Sequence, residues 1–372
     1  MSTKIIKFLL VVFSVFLMNC TPKKEAIFNI EKAGSELFYY QGRTAVLNDS
    51  TAALISPGAY VASSFIGDSC EVFLKAEQQP YNYVSIELDG EYLGRIKVKS
   101  DSVKGYVFKA STSKKMHTLK VFKESEASNG TILFSGIKAE KIIFYKLPST
   151  KYIEFIGNSI TCGAASDGSV LPCEEGLYSD HQNVYFAYGP SLSRALNTNF
   201  MLSSVSGYGI YRNWNDENIE EPIMPQVYEN LYLNLDNSKK YSFSYIPDIV
   251  SVCLGTNDLS EGDGLKPRLP FNKEKFVTNY INFVKTVYSY YPNTQIVLLN
   301  SPMSGAAANI LLSACLKEVQ SYFNENNEQQ ILLFEFNKAY NGGCLWHPSV
   351  SEHQEIAKEL LPFFKNVLQD LE

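Results

Sequence analysis

Tyr152-Ile153-Glu154-Phe155-Ile156-Gly157-Asn158-Ser159-Ile160-Thr161 is the stretch on which the fold turns. Its apolar run, 152–156, breaks at a glycine and passes into a polar turn, as a buried strand does at the edge of a parallel sheet. Four more short apolar runs follow, at 199–205, 248–254, 295–300 and 330–336. Between and after them lie stretches with helical spacing, clearest at 273–290, 306–323 and 351–368. Apolar strands alternating with crossover helices predict an α/β domain over residues 151–372: a three-layer, doubly wound parallel sheet with its site beyond the carboxyl ends of the strands.

Upstream the period changes. Between 37 and 147 the chain is a series of short strand patterns, at 60–65, 70–76, 83–88, 92–98, 106–110, 117–122 and 131–134, with turns at Asp89-Gly90 and Asn129-Gly130. That spacing predicts an all-β sandwich, of jelly-roll type, ahead of the α/β domain. Leu147-Pro148-Ser149-Thr150 is the expected linker, because proline ends the strand run there. Two domains also suit a chain of 372 residues.

At the amino terminus, Lys4 and Lys7 precede an apolar run, 8–18, that is too short for the ~20 residues a membrane-spanning helix needs. Residues 1–19 are the expected signal peptide, and 20–36 the linker that follows. The sequence Leu17-Met18-Asn19-Cys20 resembles a bacterial lipoprotein signal, which implies acylation of Cys20, a membrane partner through that lipid anchor, and export to the periplasm or cell surface.

Composition narrows the function. Apolar residues make up 45% and charged ones 19%, which excludes disorder and coiled coil. A net charge of −6 without a dense Lys/Arg run gives no footprint for nucleic acid. Seven cysteines show no zinc spacing, and neither a metal nor a cofactor is expected. Cys162 and Cys173 are candidates to bridge a loop, while Cys253 and Cys315 lie in apolar stretches and suit the core.

Polar, glycine-containing turns stand after three of the apolar runs: Gly157-Asn158-Ser159-Ile160-Thr161, Ser206-Gly207-Tyr208-Gly209 and Gly255-Thr256-Asn257-Asp258. Trp346-His347-Pro348-Ser349 precedes the last helical pattern. Each alone is a common loop. Together and in this order they resemble the blocks of the SGNH (GDSL) hydrolases, which have a flavodoxin-like α/β fold. The resemblance implies a nucleophile at Ser159, a general base at His347, and an oxyanion hole from the N–H groups of Ser159 and Gly207 with the side chain of Asn257.

The residue types suit those roles. A serine hydroxyl needs a base to attack, and a histidine with an ordinary pKa of ~6.5 is one near neutrality. Donors aimed at the tetrahedral oxygen contribute ~3–4 kcal/mol each. Asp258 is expected to steady the loop of Asn257, and His353 to pack within the last helix.

Many SGNH hydrolases carry an aspartate two or three residues before the histidine, where this chain has Cys344 and Leu345. A main-chain carbonyl near Leu345 can replace it as tautomer holder, since an acceptor on Nδ1 leaves Nε2 free. Glu335 and Glu352 are the two acids the fold could otherwise bring near. With the sandwich, the Ser-Gly-Tyr-Gly-Ile-Tyr-Arg-Asn-Trp run at 206–214 and the Trp-His-Pro-Ser motif, the chain resembles carbohydrate esterase family two. That family deacetylates xylan, glucomannan and similar glycans, some members by a Ser-His dyad; an acetylated polysaccharide is the implied partner. Trp214 and Trp346, and below them Tyr208 and Tyr211, are candidate sugar platforms. Two other readings stay open: an SGNH lipase, thioesterase or sialate esterase, and a non-catalytic glycan-binding lipoprotein.

Overall fold

The computed structural model describes residues 29–110, 114–149, 151–325 and 330–371. The signal peptide and Cys20 lie outside the described residues.

Two antiparallel six-stranded sheets form the amino-terminal sandwich. One runs in the order Thr44–Asn48, Thr51–Leu54, Ile132–Ala139, Ser69–Ala76, Lys104–Lys109, and the other Lys141–Ile143, Tyr60–Ile66, Met116–Lys123, Tyr81–Leu88, Glu91–Lys99. Asn29–Lys32 and Tyr39–Gln41 add a strand to each. Alternation in Ser69–Ala76 sends Cys70, Val72, Leu74 and Ala76 into the core between the sheets, against Val84, Ile86 and Val121 of the other sheet. The Asp89-Gly90 hairpin turn has both residues at positive φ, +55° and +86°, as a tight two-residue turn requires. Residues 29–36, expected in the linker, belong to the sandwich: Asn29–Lys32 pairs with Ile132–Ala139 and Ala33 is fully buried. A short edge strand of mixed polarity has no alternation long enough to read.

The second domain is a parallel five-stranded sheet ordered Asn199–Ser204, Tyr152–Gly157, Ile249–Cys253, Gln295–Leu299, Leu332–Phe334. In chain order this is 2-1-3-4-5, the doubly wound flavodoxin-like arrangement. Both faces are covered. Ile153, Phe155, Ile249, Val297 and Leu299 pack against helices Tyr188–Leu196 and Val350–Asp370, while Ile156, Val250, Val252, Ile296 and Leu298 pack against Lys273–Tyr290 and Ala306–Glu325. The long connection from 205 to 248 carries only one short α-helix, Met224–Val227.

The domains share a core. Tyr60, Phe122 and Tyr145 of the sandwich join Phe155, Tyr185 and Phe200 of the α/β domain in one apolar cluster. Arg43, fully buried, leaves the sandwich to donate to the carbonyls of Tyr228 and Asn230, both at 2.8 Å, and to Ser203 Oγ. Removing the partners of such a charge costs about 3–5 kcal/mol, so the interface is part of the fold rather than a loose docking.

Candidate active site

The first parallel strand is buried along its whole length and ends at Gly157, where a Cβ would meet Thr161 Oγ1 at 2.0 Å. Only glycine permits so sharp an exit. Asn158 then caps the one-turn helix Ser159–Cys162, its Oδ1 accepting from Ile160 N at 3.1 Å. Ser159 is therefore fixed at the first helical position, 7% exposed at the mouth of the sheet.

His347 arrives from the other side. Its Nε2 stands 2.9 Å from Ser159 Oγ and its Nδ1 3.0 Å from the carbonyl oxygen of Leu345. A carbonyl only accepts, so Nδ1 carries the proton and Nε2 is free to take the serine's. Burial lowers the pKa of His347 from its ordinary value, against the opposing effect of its backbone partners at Leu345 and Cys344, so the neutral, basic form prevails at pH 7. Among the described residues no carboxylate is bonded to either ring nitrogen.

The Leu345 carbonyl is aimed by unusual backbone. Leu345 and Trp346 have φ of +51° and +61°, a left-handed region that costs a non-glycine residue about 1 kcal/mol or more. Surrounding bonds hold it there: Cys344 N donates to Ala165 O at 2.8 Å, Gly343 N to His347 O at 2.8 Å, and Cys344 is disulfide-bonded to Cys173. Of the candidate pair Cys162 and Cys173, only Cys173 is bridged, and to Cys344. Cys162 is a free, buried thiol whose Sγ donates to Ser204 Oγ.

Opposite the imidazole, Gly207 (φ +80°) follows the second strand and Asn257 the third. Among the described residues no backbone acceptor takes the N–H of Ser159 or Gly207. Asn257 Nδ2 donates one hydrogen to Tyr208 O at 2.8 Å, leaving the second. Asp258 is fully buried and its carboxylate accepts from the N–H groups of Ile210, Tyr211 and Arg212; burial pushes its pKa up to about 6. It ties the loop of Asn257 to the loop of Gly207.

These groups line one cleft of about 570 Å³, together with Trp214, Met303 and Tyr178. Trp214 is 43% exposed there. Trp346 is 76% exposed, at positive φ, and is not among the residues lining the cleft. Tyr211 is buried in the core of the α/β domain and Tyr208 packs partly buried against it; neither is among the residues lining the cleft. Sequence reasoning missed Tyr178, whose ring lies 6.2 Å from that of His347 and whose hydroxyl is 3.5 Å from Ser206 Oγ. Nothing in its local sequence, a 3₁₀ turn at Tyr178–His181, marks it. His353 is buried, its Nδ1 accepting from Tyr188 N at 3.3 Å. Among the described residues no group of three or more metal-type side chains occurs.

Comparison with known proteins follows the two domains. Residues 40–145 match the family described as Carbohydrate esterase 2 N-terminal, and residues 153–360 the GDSL-like Lipase/Acylhydrolase family. The chain is 27% identical over 335 residues to the cellulase/esterase CelE of Acetivibrio thermocellus; the match takes in 88% of this chain and 39% of that protein's length. It is 26% identical over 261 residues to an acetylxylan esterase / glucomannan deacetylase of Cellvibrio japonicus, 66% of this chain and 68% of the other. The structure of a family two carbohydrate esterase from Clostridium thermocellum in complex with cellohexaose superimposes with a TM-score of 0.79 at 26% identity, covering 89% of this chain and 99% of that one.

Proposed function

The chain belongs to the GDSL-like lipase and acylhydrolase family, and on that premise we propose that it is a serine esterase removing O-acetyl groups from plant polysaccharides such as xylan and glucomannan. The observation that carries the reading is the dyad itself: Ser159 Oγ 2.9 Å from an imidazole nitrogen whose partner nitrogen is committed to a carbonyl.

In the proposed reaction Ser159 Oγ attacks the acetyl carbonyl carbon as its proton passes to His347 Nε2. The carbonyl electron pair moves onto oxygen, within reach of the N–H groups of Ser159 and Gly207 and the spare hydrogen of Asn257. Collapse expels the sugar oxygen, which takes the proton from the imidazolium and leaves acetyl-Ser159. Water, deprotonated by His347, attacks the acetyl carbon, and the Ser159 Oγ–acyl bond breaks as Oγ takes the proton back from the imidazolium, releasing acetic acid. Leu345 O holds the imidazole's orientation throughout but supplies no negative charge, in place of the acid of a full triad. A pyranose ring stacking on the open face of Trp214 would present its ester to Ser159.

Export and anchoring through acylated Cys20 are part of the proposal and rest on the amino-terminal sequence alone. Replacing Cys20 with serine should abolish labelling by a fatty-acid analogue.

Acetate release from acetylated xylan and glucomannan tests the activity. The protein should release acetate from both, and Ser159→Ala and His347→Ala should each lose at least about 10³-fold in kcat. A folded wild-type protein that binds these glycans without releasing acetate would make it a binding protein instead.

A further inference from the structure

We infer that Glu126, a residue of the sandwich domain, is a positioning residue of the oxyanion hole, holding Ser206 so that the Gly207 N–H points at the reacting oxygen. The inference rests on the esterase reading above.

Glu126 lies just beyond the sandwich strand Met116–Lys123, is 2% exposed, and reaches across the domain boundary. One carboxylate oxygen accepts from Ser206 N at 2.6 Å and the other from the Ser206 hydroxyl. A solvent-excluded carboxylate bound to both donors of one residue fixes that residue more firmly than either bond alone. Ser206 immediately precedes Gly207, and the N–H proposed for the oxyanion belongs to the peptide unit between them. That unit is pinned from both ends. Glu126 holds Ser206 N on one side, and on the other the Gly207 carbonyl accepts from Trp214 N at 2.9 Å. Gly207, which has no Cβ and sits at φ +80°, would by itself restrict that peptide plane little.

The carboxylate is itself supported. Lys123, fully buried and with its pKa pushed down to about 7 by that burial, directs Nζ to the carbonyls of Ser125 and Glu126 and to Ser125 Oγ, which ties down the 125–126 backbone. Burial raises the Glu126 pKa, while its bonds from Ser206 and the charge of Lys123 oppose that rise. The sandwich therefore supplies part of the catalytic apparatus besides a scaffold.

A donor that acts only as charge develops should affect kcat and spare KM. Full loss of one such donor costs ~10²–10³ in kcat. Misaiming it through Glu126→Ala should cost about 10- to 100-fold, with KM within about twofold. Affinity for a boronic acid that forms a tetrahedral anion on Ser159 should fall in parallel. Glu126→Gln should recover to within about threefold of wild type, because its oxygen can accept from Ser206 N while its amide donates to Ser206 Oγ. Should Glu126→Ala fail to fold, Ser206→Ala removes half of the clamp and should still lower kcat about three- to tenfold without raising KM. A folded Glu126→Ala or Ser206→Ala with wild-type kcat and boronate affinity overturns the inference. So does a Gln variant as impaired as Ala. Wild-type protein that releases no acetate and forms no boronate adduct would instead sink the esterase reading.

Discussion

Ser159 and His347 meet at 2.9 Å, yet the two halves of the site are built in opposite ways. The serine half stands on a fully buried strand and a capped helical turn, and the loops that carry Gly207 and Asn257 are clamped by buried carboxylates, Asp258 and Glu126. The histidine half hangs on a surface turn in which Leu345 is 63% and Trp346 76% exposed, both at positive φ, tied down by a cross-link. One half gets its geometry from the core; the other has it imposed locally on strained backbone. The first should respond to loss of a single polar group through kcat alone, and the second through loosening of the turn.

The sharpest probe of the serine half is Asn257→Ala. Its amide is oriented by Tyr208 O and its backbone by Arg268, whose Nη2 donates to Asn257 O at 2.9 Å. The variant should fold normally and lose ~10²–10³ in kcat with little change in KM. A loss below about threefold would remove Asn257 from the oxyanion hole.

On the histidine half the matching test is the double variant Cys173→Ser/Cys344→Ser. Its loop spans a sequence separation of 171, so stability should fall by about 3–5 kcal/mol. With the turn freed, Leu345 and Trp346 can relax toward ordinary φ and the carbonyl leaves Nδ1, which should lower kcat about tenfold in the protein that remains folded. If kcat measured well below the melting temperature is unchanged, the hydrogen bonds around Ala165 and Gly343 suffice, and the contrast between the halves is weaker than drawn here.

A pH profile separates carbonyl from carboxylate as the partner of His347. A carboxylate would raise the imidazole pKa, whereas here burial lowers it. Activity requires the neutral ring, so it is complete above the folded pKa and is lost as pH falls through that value. The acidic limb of kcat/KM should therefore have its midpoint below pH ~6.5, the unperturbed value. A midpoint clearly above it would point to an unrecognised acid.

The same contrast explains what the sequence disclosed. The parallel strands and long helices are legible because buried strands are continuously apolar and helices repeat at 3.6, and the Gly-Asn-Ser turn follows directly from one such strand. Glu126 and Tyr178 come from segments whose local pattern says only loop; Glu126 reaches the site across the domain boundary and Tyr178 from a 3₁₀ turn of the α/β domain itself. The Cys173–Cys344 pairing joins residues far apart in sequence, and the nearer candidate, Cys162, ends the helix of Ser159 and turns its thiol to Ser204 instead. The absence of an aspartate before His347 was visible; the left-handed Leu345 and Trp346 were not, since neither is a residue type that signals positive φ.

The smallest effects should come from the two acids that could have completed a triad. Glu335 pairs with Lys317 at 3.0 Å on the surface, and among the described residues no hydrogen bond or ion pair links it to His347. Glu352 is closer in sequence, but its carboxylate is already occupied: it accepts from Gly342 N at 2.7 Å, Ser349 N at 2.8 Å and Asn341 N at 3.3 Å, closing the capping box of the last helix. Those bonds lower its pKa from the usual glutamate value although burial opposes them, so it is ionised at neutral pH and committed to the loop. Glu335→Gln should leave kcat/KM within about twofold of wild type. Glu352→Gln loses acceptors and should cost about 1–2 kcal/mol in stability. Because it supports the turn after His347 and not the ring, kcat/KM of the folded protein should stay within about tenfold. Activity as low as that of His347→Ala in a folded Glu352→Gln would mean that the carboxylate swings to Nδ1 during turnover, and the carbonyl would then be a resting partner only.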